Sequence, residues 1–163
     1  MSPANTPTGN SNASAPTTDQ DQTTLCSFVK SGKGNWCVQD DVVMGGRSDS
    51  QLQMTEDNYA HFSGKVSLAN NGGFCSIHQV VEQNPYRISV NASAFTLRVK
   101  GDGKTYNFRV RTPNGRHSYA LNFPTQASGE WEEITLPFKD MAATFRGRSI
   151  NVPNYAGEEV LEM

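Results

Sequence analysis

The sequence predicts an all-β fold, an antiparallel β-sandwich of the jelly-roll kind, on three observations. From Leu25 onward, apolar residues recur at every second position in short runs. Gly, Asn, Asp and Pro separate the runs. No stretch carries the three-to-four spacing of an amphipathic helix.

Residues 1–24 hold Ser, Thr, Pro, Asn, Gln and Asp, with no large apolar side chain beyond Met1. Such a segment buries too little surface to offset its ordering entropy, so it reads as a disordered tail ahead of one domain over residues 25–163. The clearest alternation follows in the second half. Phe95, Leu97 and Val99 alternate with Thr96, Arg98 and Lys100, and Tyr106, Phe108 and Val110 alternate with Asn107, Arg109 and Arg111. Tyr119, Leu121 and Phe123 repeat the pattern, as do Ile134 and Leu136. Period two sends one set into a core and the other to the opposite face. Lys100-Gly101-Asp102-Gly103-Lys104 and Pro113-Asn114-Gly115 read as compact hairpin connections, and Ser128-Gly129 as a break before Trp131. Strand centres about 10–14 residues apart suit an antiparallel sandwich better than alternating strands and helices.

A chain of 163 residues suffices for one domain that folds without disulfides or a structural metal. Its 14 Lys and Arg against 16 Asp and Glu, a net charge of -2, lack the basic excess of a general nucleic-acid binder. No apolar run is long enough to span a bilayer, and no secretory or basic amphipathic targeting segment is visible. The compartment stays open, with an intracellular one favoured. Cys26, Cys37 and Cys75 form no CxxC and read as reduced thiols, a Cys26–Cys37 bridge being the alternative. Asn12-Ala13-Ser14 and Asn91-Ala92-Ser93 match the glycosylation pattern, which carries little weight without a secretory signal.

Two glycine-rich stretches could carry chemistry: Asp40-Asp41-Val42-Val43-Met44-Gly45-Gly46-Arg47-Ser48, and the run that ends in Asn70-Asn71-Gly72-Gly73-Phe74-Cys75-Ser76. Neither has the order of a phosphate loop. The expectation is structural: Gly45, Gly46, Gly72 and Gly73 permit tight bends, and one of Asp40 and Asp41 holds loop amides. Adjacent residues of a strand point to opposite faces, so the two carboxylates make a poor acid–base pair. Calcium would need more oxygen ligands than a visible acidic loop supplies. His61, His78 and His117 show no ligand spacing, and no nucleophile elbow occurs. The chain is therefore read as having no catalytic residues, no metal and no cofactor. The polar side of the middle strands is the expected binding surface. Arg98, Asn107, Arg109 and Arg111, with Lys100, are placed on one basic face with Asn122 and Glu133 as neighbours, suited to carboxylate contacts with a protein partner. Trp131 falls on the side away from Ile134 and Leu136, where a sugar-binding module would carry its stacking platform.

Several of these motifs together resemble a known family. Trp36, then DDVVMGGRSDS, FSGKVSLANNGGFCSI, LRVKGDGKTYNFRVRT at 97–112, GEWEEITLPFKDM at 129–141 and ATFRGRSI at 143–150 are similar, in order, to the complex I intermediate-associated protein 30 family, over approximately residues 25–155. The resemblance implies a galactose-binding-like jelly roll and a non-catalytic, chaperone-like assembly role. The clients it implies are subunits of respiratory complex I or another membrane protein complex, in a mitochondrion or other organelle. The alternative is a carbohydrate-binding module. The resemblance also implies a last strand pair beyond the FRGR segment, where this sequence reaches Met163. A fragment, strand addition from a partner or second copy, and filling by the N-terminal segment all stay open.

Overall fold

A computed structural model describes residues 22–28, 36–81 and 83–163. The expected disordered tail and the first glycosylation pattern lie outside these residues, except for Gln22, Thr23 and Thr24, which are exposed. Ten strands follow in order: β1 Trp36–Asp40, β2 Asp49–Met54, β3 Ala60–Lys65, β4 Cys75–Gln79, β5 Ala94–Val99, β6 Thr105–Arg111, β7 Ser118–Pro124, β8 Glu132–Pro137, β9 Ala142–Phe145 and β10 Arg148–Ser149. Every pairing among them is antiparallel. Short 3₁₀ turns at Asp41–Met44, Ala69–Asn71 and Phe138–Asp140 supply the only helical geometry in the described residues. The fold is all-β.

One layer runs β6–β7–β9–β10. The other contains the β5–β8 pair, in register from Ala94 opposite Pro137 to Val99 opposite Glu132. Alternation explains how they meet. Phe95 and Leu136 face inward from β5 and β8, and Phe108, Val110 and Tyr119 from β6 and β7. The Phe95 and Phe108 rings lie 5.3 Å apart across the core. Phe138 and Tyr155 complete an aromatic cluster around Phe95, at 4.8 and 5.6 Å. Tyr155 is buried, which raises its phenol above the ordinary range, with the nearby Glu158 carboxylate adding to the effect.

The connection Lys100–Lys104 does not close a hairpin. β5 pairs with β8 and β6 pairs with β7, so this loop carries the chain from one layer to the other. The physical reason is burial: Phe95 and Phe108 both need the same core, and strands in opposite layers can share it. Gly101 packs against the Thr125 side chain, and Asp102 accepts the Lys104 amide at 3.1 Å. Pro113-Asn114-Gly115, by contrast, does join two paired strands, β6 and β7.

The C-terminal residues occupy the space between β4 and β6. Val81 donates to the Leu161 carbonyl at 2.7 Å and Gln79 exchanges backbone hydrogen bonds with Met163. On the other side Arg111 donates to the Glu162 carbonyl and Leu161 to that of Arg111, both at 2.8 Å. Residues 160–163 thus join the edges of β4 and β6. Val160 is fully buried and Tyr86 pairs with it. Val160→Ala is expected to cost about 2 kcal/mol, read as a lower urea midpoint at unchanged slope.

Candidate functional site

Asp41 is the best-connected side chain at one end of the sandwich. β1 ends at Asp40, and the chain turns at once into the 3₁₀ turn, where Gly45 closes it at φ 88°. A left-handed residue here returns the Gly45 amide to the Val42 carbonyl and the Gly46 amide to that of Asp41. The turn drives the Asp41 carboxylate inward until it is 1% exposed. There it accepts the Ser48 amide at 2.9 Å, the Ser48 hydroxyl at 2.5 Å, the Gly73 amide at 2.6 Å and the Phe74 amide at 3.4 Å. Ser48 in turn accepts the Ser67 amide at 3.0 Å. The Ser48 hydroxyl bond, reinforced by the amides of Gly73, Ser48 and Phe74, pulls the Asp41 carboxyl down to about 2 against the opposing effect of desolvation.

Asp40 points elsewhere. Its two oxygens accept the Ser50 amide at 2.8 Å and the Ser50 hydroxyl at 2.6 Å. The neighbouring carboxylates therefore serve two separate loop contacts. Gly46 and Gly72 pack so tightly on the Asp41 carboxylate that a Cβ at either would overlap it, while Gly73 has φ 146°. Neither Ser48 nor Ser50 is assigned from sequence as a carboxylate partner. The signal that could have found them is hydroxyls alternating with Asp49 just after the glycine pair, facing two carboxylates that need donors.

The basic residues separate. Arg98 lies on β5, across from Glu133 of β8, and Arg109 and Arg111 lie on β6. β5 and β6 belong to opposite layers and their apolar sides face each other, so Arg98 emerges on one outer face of the sandwich and Arg109 on the other. The single basic face expected from sequence does not form, because the loop between these strands changes layer. Asn107 donates to Asn122 at 2.8 Å, and Arg109 donates to Asn107 at 3.4 Å. Arg111 is half-buried and donates to the Glu162 carboxylate at 2.9 Å, tying β6 to the C-terminal segment.

Trp131 enters β8 on the same outer side as Arg98 and is 39% exposed. The Arg98 guanidinium lies over its ring, 5.3 Å from the centroid. The Tyr59 ring stands 4.6 Å away, tilted by 43°, so it too packs against the indole. Tyr59 comes from the turn between β2 and β3, a contact no local pattern announces. The result is a Trp–Tyr–Arg cluster on an outer face.

Cys26, Cys37 and Cys75 are all unbridged. Among the described residues, no three His, Cys, Asp or Glu side chains converge as a metal site, and no helix is long and apolar enough to cross a membrane. Asn91 sits in an exposed turn.

Sequence comparison places this architecture. The family model of complex I intermediate-associated protein 30 matches residues 26–163. The chain belongs to the complex I intermediate-associated protein 30 family. A curated relative, "Complex I intermediate-associated protein 30, mitochondrial" of Mus musculus, is 26% identical over an alignment 133 residues long that covers 69% of this chain and 40% of the relative. The match to the family model takes in the Asp41 loops, the Trp131 cluster and the C-terminal segment together.

Proposed function

We propose that this domain is a non-catalytic, chaperone-like interaction module acting in the assembly of a protein complex, its clients being subunits of respiratory complex I or of another membrane protein complex. The observation that carries the reading is the family match over residues 26–163. The chemistry at the Asp41 end agrees with it. Its buried carboxylate accepts four hydrogen bonds from the protein itself, and a group so committed, and so far from neutral pH, is a poor general acid or base.

The partner contact centres on Trp131, Tyr59 and Arg98. Trp, Tyr and Arg are the residues that dominate protein interfaces, because they combine large contact area with directional polar groups. Arg109 and Asn107 lie on the opposite outer face and form a second, polar contact. Arg111 binds Glu162 and acts in folding. Affinity capture with the whole chain as bait tests this. Arg98→Glu is expected to lower recovery of complex subunits at least tenfold, with the melting temperature unchanged within a few degrees. Recovery equal to wild type would remove Arg98 from the interface.

A further inference from the structure

The Asp41 network does more than close two loops, because it fixes what they expose. The 3₁₀ turn after β1 presents Val42, Val43 and Met44, and the loop between β3 and β4 presents Val66, Leu68 and Phe74. Val43 is 69% exposed, Met44 76% and Leu68 81%. Exposed singly such side chains are ordinary, but grouped on adjacent loops they form an apolar patch. They are held together. Asp41 accepts amides from Ser48 in the first loop and from Gly73 and Phe74 in the second, and Asn70 donates to the Gly45 carbonyl at 3.2 Å. With both backbones fastened, the apolar tips cannot fold back onto the core.

We infer that this end of the sandwich is a peripheral membrane-docking surface that inserts Val43, Met44 and Leu68 into the outer part of an anionic phospholipid bilayer. Exposure favours lipid over a protein groove: Val43, Met44 and Leu68 project 69–81% exposed from two adjacent loops, and a deformable apolar phase accommodates such tips without a preformed pocket. Charge favours an anionic surface. Arg47 and Lys65 flank the tips and are exposed, and residues 42–48 and 65–75 contain no carboxylate. Asp49, exposed and across β2–β3 from Lys65, offsets part of this charge. Long basic side chains keep their heads among lipid phosphates while neighbouring apolar groups enter the acyl boundary. The surface is also separate from the Trp131 cluster. Tyr59 lies beyond the far end of β2, whose six residues span about 17–20 Å, so a bilayer and a protein partner could be held at once.

The test is co-sedimentation of the whole chain with vesicles of phosphatidylcholine containing phosphatidylserine, and with phosphatidylcholine alone. Wild type is expected to bind the anionic vesicles, more weakly at high salt, and to bind the neutral ones poorly. The V43S/M44S/L68S variant is expected to lose at least tenfold in binding. These side chains take no part in the Asp41 hydrogen bonds, so the fold should persist; Met44→Ser and Leu68→Ser, each alone, keep the test open if the triple variant does not fold. R47E/K65E is expected to remove the preference for anionic lipid. Failure of wild type to bind anionic vesicles, or equal binding by the serine variants, would overturn the inference. So would a wild-type chain that ignores vesicles but self-associates, or captures a purified partner, through the same three side chains. None of these outcomes depends on the clients named above.

Discussion

Asp41→Ala is expected to lower the melting temperature by about 10 °C or more, the largest effect of any single side-chain removal at this end of the fold. The carboxylate satisfies the amides of Ser48, Gly73 and Phe74 and the hydroxyl of Ser48. Truncation leaves the buried Ser48 amide and hydroxyl without this acceptor, strips the Gly73 and Phe74 amides of theirs and loosens the two loops from each other. Acid should reproduce part of the loss. The folded carboxyl is depressed to about 2 from an ordinary 3.8, so the unfolded chain takes up the proton first. Its contribution is present above the ordinary value and disappears as pH falls through about 2. Melting temperature measured from about pH 5 to 2 should fall more steeply for wild type than for Asp41→Asn, which has no proton to gain. Parallel curves would mean that another group sets the acid limit.

Gly46→Ala is the second large effect, expected to cost about 3 kcal/mol by urea unfolding. Its Cβ would overlap the Asp41 carboxylate, which is itself pinned and cannot move aside. Gly72→Ala meets the same carboxylate and the Ser67 carbonyl, so it belongs to the same class. Gly45→Ala separates space from backbone. Nothing lies within 4 Å of its Cβ position, yet its φ is 88°, so only left-handed strain opposes the change, about 1–2 kcal/mol. The ordering Gly46 worse than Gly45 is the diagnostic: equal costs would mean that the carboxylate does not fill the space beside Gly46.

Alternation made β5, β6, β7 and β8 legible from sequence, since each buries one face and exposes the other. It could not say which strands pair, because Phe95 and Phe108 satisfy period two equally well within one sheet or across two. That ambiguity explains both the misread Lys100–Lys104 connection and the basic face that does not form. Glycine pairs announced the loops at Gly45-Gly46 and Gly72-Gly73, but their shared cause, a single carboxylate seated against both, joins residues more than 25 positions apart. Tyr59 against Trp131 and Glu162 on Arg111 are long-range in the same way. The C-terminal segment was hard to place for a different reason: residues 158–163 alternate poorly, and their pairing comes from backbone hydrogen bonds on both sides.

The sandwich displays a Trp–Tyr–Arg cluster on one outer face and exposed apolar loop tips at one end. On the proposed function, the domain works by holding partners during complex assembly. Quantitative affinity capture with mass spectrometry, comparing the wild-type chain with Trp131→Ala, is the direct test. Wild type is expected to enrich respiratory-complex subunits or their assembly factors, and the variant, folded by its melting curve, to lose most of them. Wild-type capture of glycans or glycoproteins alone, or of no complex subunits at all, would contradict that function.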